Sequence, residues 1–311
     1  MAFNRDQMAE QATKLASVGV FLGTSSWKYA GWMNQLYSRD RYEYRGKFAK
    51  ARFERNCLSE YAEVFKTVCL DSAYYDFPKR DKLRELGDSV PKDFQFGFKV
   101  TDAITLKKFT NLPRFGVRAG KPNEHFLNAD LFVSAFLKPC EEIRDQVGVL
   151  MFEFSRFHKP DFEHGRDFVA ALDTFFTKLP GGWPYAVEMR NQTWLREDYF
   201  ACLARHSVTH VFNSWSAMPS VMEQMALPNS RTNPKLCAAR FLLKPGRSYE
   251  EAVETFEPYD KIKEVNPDAR VAGKELIAEG KSAPERKTFI YVNNRLEGNA
   301  LETIAAMLGS G

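Results

Sequence analysis

Eight short apolar runs punctuate the chain, and a stretch with helical spacing follows each of them. The runs are VGVFLG (18–23), KTVCL (66–70), FQFGFKV (94–100), VGVLMFEF (147–154), YAVEMR (185–190), VTHVF (208–212), CAARFLL (237–243) and TFIYVNN (288–294). They have strand length and are rich in β-branched and aromatic residues, which suit a pleated, buried surface. The intervening segments 48–65, 79–87, 126–144, 162–179, 197–206, 248–265 and 296–308 read as helices, with a weaker pattern at 215–225. In 162–179, for example, Phe168, Leu172, Phe175, Phe176 and Leu179 fall on one stripe. Parallel strands need a crossover, and helices supply it while covering the sheet. Strand then helix, eight times over, predicts an α/β fold: a single (β/α)8 barrel spanning 18–308, after an N-terminal extension at 1–17. An open doubly wound sheet is the alternative. The extra length lies in charged or Pro-bearing insertions near 38–50, 107–125 and 265–286, read as loops and lids.

Composition excludes more than it selects. With 44 Lys+Arg against 40 Asp+Glu, the net charge of +4 argues against a protein wrapped generally in nucleic acid but leaves room for a local basic cleft. The run KFAKARFER (47–55) reads as the solvated face of the first helix. Cys57, Cys69, Cys140, Cys202 and Cys237 are odd in number, scattered and free of any Cys-x-x-Cys pair, so neither a disulfide framework nor a zinc knuckle is expected. The N-terminus has no signal-like apolar core, and no run approaches the roughly 20 apolar residues of a membrane span. A cytoplasmic protein without membrane partners is the expectation.

The stretch AVEMRNQTW (186–194) locates the site. Side chains alternate along a strand, so Glu188 and Arg190 share one face while Val187 and Met189 share the other. In a barrel the apolar pair belongs under the helices, and the charged pair points to the axis at the strand's C-terminal end, where barrel enzymes build active sites. The alternative is an ion pair that only braces the barrel top. The same test brings Lys99, Glu153, Arg240, Asn293 and Asn294 to that rim. Strand one runs into GTSSWKYAGW with Trp27, strand two into DSAYYDF with Asp71 and Tyr75, and strand five into Trp194. Each aromatic alone reads as core, but several beyond strand ends form a stacking platform for a sugar or base.

GTSSWKYAGW, TVCLDSAYY, FGFKV, VLMFEFSRF, AVEMRNQTW and VNNRLEGNALETI, in this order, resemble the landmark motifs of the domain-of-unknown-function 72 family, the YecE-like proteins. The resemblance covers nearly the whole chain. It implies a TIM-type barrel with a pocket at its C-terminal rim, and a likeness in shape to endonuclease IV-like barrels makes nucleic-acid binding a family-level idea. The chain also departs from the pattern. Cys69 and Asp71 stand where Glu-x-Asn is usual, Glu153 replaces a Gln, Asn191 a His, and Arg-x-His-Gly becomes Arg240-Phe241-Leu242-Leu243. These departures point to a divergent member with a different ligand.

Two functional readings follow. In the first, Lys99, Arg190 and Arg240 clamp a phosphate or carboxylate, and Glu188 and Glu153 act as a catalytic carboxylate pair in a hydrolase, one holding a proton while the other serves as base. In the second, the same cations and aromatics bind single-stranded nucleic acid or a phosphosugar without breaking a bond. No phosphate-loop, dinucleotide or nucleophile-elbow motif appears, so no cofactor is expected. Of the five histidines, only His158 falls near the rim, which argues against a multinuclear zinc centre. A single Mg²⁺ on Glu153, Glu188 or Asp71 stays open, since hard oxygen ligands suffice. If the pocket leaves Arg190 partly hydrated, Glu188→Gln should cost little stability.

Overall fold

The apolar runs form eight parallel strands that close into one barrel. In the computed structural model, which describes residues 3–309, these are β1 (Val20–Thr24), β2 (Thr67–Leu70), β3 (Gln95–Lys99), β4 (Val147–Phe154), β5 (Tyr185–Met189), β6 (Thr209–Ser214), β7 (Leu236–Phe241) and β8 (Lys287–Val292). Each strand pairs with its neighbours in sequence, and β1 closes the ring on β8 and β2. The doubly wound alternative is thereby ruled out.

Side-chain alternation divides the strands between two cores. Phe21, Cys69, Val149, Met151, Ala186, Val211, Leu236, Ala238, Phe289 and Tyr291 fill the barrel interior. Val187 and Met189 belong to the larger core between strands and helices, as their parity requires. Glycine makes room where aromatics cross the axis: a Cβ on Gly97 would lie 2.4 Å from the Tyr291 hydroxyl oxygen and 2.7 Å from its Cζ. That hydroxyl is itself held by Thr67 Oγ1 at 3.1 Å.

Most helices lie where the periodicity places them: Lys50–Val64, Arg80–Asp88, Gly165–Thr177, Glu197–Arg205 and Ala300–Met307. The weak pattern at 215–225 is a short helix, Val221–Ala226, begun by a capping box between Ser220 and Glu223. Two segments differ from the sequence reading. The stretch 265–286, read as an insertion, contains the crossover helix Pro267–Lys281, while 248–265 is helical only over Tyr249–Phe256. Asn266 caps the longer helix by accepting from the Ala269 N–H, and Pro267 occupies its first turn. Its buried face is mostly small (Ala269, Ala272, Gly273, Gly280, with Leu276 and Ile277), so the apolar stripe is faint in sequence. The stretch 126–144 is broken into Ala129–Leu131, a π-helical segment Phe132–Leu137, the turn Lys138–Cys140 and a 3-10 segment Glu141–Gln146. Pro139 lacks the N–H that a continuous helix would use.

The insertion at 38–50 forms a 3-10 turn and a two-stranded ribbon, Glu43–Tyr44 with Lys47–Phe48. That at 107–125 is irregular apart from a 3-10 segment, Pro113–Arg118. The N-terminal extension is a helix, Arg5–Ala16, whose Met8, Ala12 and Leu15 are buried against the barrel. No described helix is long and apolar enough to cross a membrane. Because Tyr291 occupies the space over Gly97, Gly97→Ala is expected to cost about 1–3 kcal/mol by overpacking, read as a lower denaturant midpoint at unchanged slope.

Candidate functional site

Strand register brings the rim charges together. Glu153 of β4 sits directly opposite Glu188 of β5, and Arg240 of β7 lies opposite Asn213 of β6 and Tyr291 of β8. Because Met151, Ala186 and Ala238 point inward two residues earlier, Glu153, Glu188 and Arg240 also point inward, one layer nearer the C-terminal rim. Lys99 ends β3, Asp71 follows β2 and Arg190 follows β5.

These six side chains, Lys99, Arg190, Arg240, Asp71, Glu153 and Glu188, form one ion-pair network. Glu188 is fully buried; its Oε1 accepts from Arg190 Nε and Nη2, both at 3.0 Å, and its Oε2 from Arg240 Nη1 at 2.6 Å. Glu153 Oε2 faces Lys99 Nζ at 2.6 Å, Arg190 Nη2 at 2.8 Å and Arg240 Nη1 at 3.4 Å. Arg240 Nη2 reaches Asp71 Oδ1 at 3.2 Å. Aromatic faces close the network: Lys99 Nζ lies 3.5 Å from the Tyr74 ring centroid, and the Arg190 guanidinium 3.6 Å from that of Trp215.

Burial would raise the Glu153 pKa, but Arg190, Lys99 and Arg240 more than offset it and hold the carboxyl down at about 2. Burial alone would favour loss of the Arg240 proton, yet Glu188 and the neighbouring anions drive its pKa well above the usual value. The thiol of Cys69 is pushed up by burial and stays protonated against Asp71. Three cations thus meet three carboxylates, so the clamp expected for an incoming anion is already internally neutralised. The idea that one glutamate stores a proton finds no support at Glu153. A Mg²⁺ on Asp71, Glu153 or Glu188 would have to displace these cations.

The remaining expected residues divide between the core and the surface. Asn293 and Asn294 are buried; their side-chain oxygens accept from Arg295 N and Ala300 N, which shapes the turn into the last helix. Trp27 is buried and offers no open stacking face. Tyr75 is 63% exposed, with the Arg114 guanidinium 4.9 Å from its ring centroid. Trp194 is half-buried and stacks on Phe157 at 5.6 Å and Phe168 at 5.5 Å.

Trp194 and Arg190 line an open groove of about 640 Å³ over the loops after β4, β5 and β6, together with Arg156, His158 and Lys159. Arg156, Phe157 and His158 are shared with a second cavity of about 540 Å³, lined also by Lys107 and Lys108. Among the residues lining the two cavities, Lys107, Lys108, Arg156 and Lys159 outnumber the carboxylates Asp161 and Glu163, while Arg190 is paired with Glu153 and Glu188 beneath.

Two residues of this region, Trp215 and Asn213, escaped the sequence reading, and two that it named, Tyr74 and Asn191, take roles it did not foresee. Tyr74 and Trp215 support the cations. Asn191 takes the Phe157 N–H on its Oδ1 and donates from Nδ2 to the Phe157 carbonyl, both at 2.9 Å, fixing the groove wall. Asn213 is buried on β6 and donates to the Met189 carbonyl at 3.1 Å. The inward parity of Val211 would have found Asn213; nothing local signals the pairing of Asn191 with Phe157.

Glu188→Gln removes one charge from beneath two buried guanidiniums, so the expected cost is about 3–5 kcal/mol in denaturant melts, against the small cost foreseen for an open pocket. Because the folded Glu153 pKa lies below its ordinary 4.5, its contribution is present above about pH 4.5 and is lost as pH falls toward about 2. Stability measured from pH 5 to 2 is expected to decline, and the decline should be shallower in Glu153→Gln.

The family model described as "Protein of unknown function DUF72" matches residues 21–310. Among solved structures, a DUF72 family protein from Enterococcus faecalis V583 is 18% identical over 93% of this chain and 94% of its own, with a TM-score of 0.62. Another from Thermotoga maritima MSB8 is 18% identical over 94% of this chain and 97% of its own, with a TM-score of 0.58. No match is found among curated proteins. The structural likenesses extend the barrel to these relatives, and the family model runs from the first strand through the last helix: the chain belongs to the DUF72 family.

Proposed function

We propose that the C-terminal rim binds a phosphate-bearing ligand, a phosphosugar or a short single strand of nucleic acid, in the groove beside Arg190 rather than on the barrel axis. The observation that carries this reading is the separation of charges. The axial cations are matched by carboxylates, whereas Arg156 and Lys159 are exposed and make no ion pair among the described residues. Arg190 belongs to both settings: it is anchored by Glu188 and Glu153 through Nε and Nη2, and it lines the groove. An arginine held in this way orients a phosphate with little side-chain freedom left to lose, while the attraction comes from Arg156 and Lys159. Trp194 and the adjoining aromatics offer a ring or base an apolar wall.

The first cavity suits a sugar phosphate in size, and its junction with the second extends the basic surface for a strand. A hydrolase acting through Glu188 and Glu153 is the finer alternative. It requires a carboxyl that holds a proton near neutrality, and neither glutamate lines the groove. Binding without turnover is therefore the reading adopted.

Inorganic phosphate, a monosaccharide phosphate and a short single-stranded oligonucleotide serve as probes. Saturable binding that raises the melting temperature and weakens with salt is expected for at least one phosphorylated probe. Arg156→Ala combined with Lys159→Ala should lower its affinity about tenfold or more while leaving the melting temperature of the free protein unchanged. Equal binding by the double variant, or no binding of any probe, overturns the proposal.

A further inference from the structure

A second cluster of reactive side chains lies on the outside of the barrel. The helices Gly165–Thr177 and Glu197–Arg205 pack side by side. Asp173 comes from the first, Cys202 from the second, and His206 from the residue that caps the second. His206 Nε2 is 2.8 Å from Asp173 Oδ1, Cys202 Sγ is 4.0 Å from the same oxygen, and the three ligand atoms all lie within 4.8 Å of one another. Cys202 and His206 are four positions apart, one helical turn, which directs both toward the neighbouring helix.

We propose that Asp173, Cys202 and His206 form a zinc-binding site that clips these two helices together, with water as the fourth ligand. The donor set is one sulfur, one imidazole nitrogen and one carboxylate oxygen, each a common zinc ligand. Bond lengths of about 2.0–2.3 Å in a tetrahedron place ligand atoms about 3.3–3.7 Å apart, and the observed spacings of 2.8 and 4.0 Å lie on either side of that value. Small side-chain rotations are enough to close the set. An Asp173–His206 ion pair alone explains two members of the cluster. The buried thiol, 3.8 Å from the Val169 carbonyl and 4.0 Å from Asp173 Oδ1, adds a third donor within reach of that pair.

Charge and access also fit. Thiolate and carboxylate neutralise the dication, and the imidazole binds uncharged. Burial pushes the Cys202 thiol up to about 11, so zinc uptake transfers the Sγ proton to solvent as the Zn–S bond forms, and affinity rises with pH. Arg205 Nη1 lies 3.3 Å from Asp173 Oδ1, but its side chain is 61% exposed and free to turn into water. The partial exposure of Asp173 and His206 leaves a path for the ion and room for the water ligand. None of the three residues lines the rim groove, so the site is independent of the binding proposed there.

The test uses the full chain without a metal-binding tag, stripped with chelator and titrated with Co²⁺ and then Zn²⁺. One equivalent of Co²⁺ should release one proton as it produces the thiolate-to-metal charge-transfer absorption and the intense visible bands of a tetrahedral site, and Zn²⁺ should then displace the Co²⁺ and bleach those bands with no further proton release. Cys202→Ser should abolish the charge-transfer band and weaken zinc binding at least about tenfold, while Cys140→Ser, at a buried thiol outside the cluster, should leave both unchanged. Should Cys202→Ser misfold, His206→Gln gives the same readout through loss of the visible bands, with circular dichroism checking the fold. Absence of the charge-transfer band in the wild-type protein, its persistence in Cys202→Ser, or unchanged visible bands in His206→Gln, overturns the site.

Discussion

The network of Lys99, Arg190, Arg240, Asp71, Glu153 and Glu188 is the feature on which the upper half of the barrel depends. Removing so many charges from water is costly, and the cost is offset only when each ion meets opposite charge at hydrogen-bonding distance. Here the condition is met through strand register. Glu153 and Glu188 stand side by side on β4 and β5, and two guanidiniums reach both. Without the arginines, adjacent carboxylates would repel and one would take up a proton; with them, the Glu153 pKa is lowered to about 2 and the carboxylate stays ionised through the acidic range above it. The network also replaces what an apolar plug would do lower in the barrel, where Phe21, Phe289 and Tyr291 stack across the axis.

This balance moves the functional question away from the axis. A cation already saturated by carboxylates attracts an external anion weakly, because the field of each pair decays quickly beyond its own dimensions. The unbalanced positive charge lies farther out, on the loops after β3 and β4, where Lys107, Lys108, Arg156 and Lys159 surround the grooves. Arg190 links the two regions. Its anchoring by the network and by the Trp215 face ties the geometry of the groove to the integrity of the barrel mouth.

Several residues of the rim take on physical content in this setting. A Gln at position 153 would carry no charge against Lys99, Arg190 and Arg240, so Glu153 supplies an anion that the network uses. Asn191 takes both backbone groups of Phe157 and so sets the wall against which Trp194 stacks. Leu242 and Leu243 are buried and extend the apolar packing beyond β7.

The order of eight strands, the inward aim of Glu188 and Arg190 and the outward aim of Val187 and Met189 were legible in the sequence, because alternation along a strand is a local property of the backbone. So were the helices with large apolar stripes, such as Gly165–Thr177. The Pro267–Lys281 helix was hidden, because its contact face is largely alanine and glycine, with Gly280 close against Val20 of β1 and Thr288 of β8, and such residues contribute little hydrophobic contrast. Partner choice at the rim was hidden for a different reason. Which carboxylate meets which guanidinium depends on register across β4, β5 and β7 and on hydrogen bonds between residues up to 169 positions apart. The same holds for Asp173, Cys202 and His206, which are unremarkable in sequence and meet only because two helices pack on the barrel wall. Local periodicity determined the barrel and the face on which its charges lie; only closure of the chain decided that those charges neutralise one another and leave the open positive surface on the loops beside them.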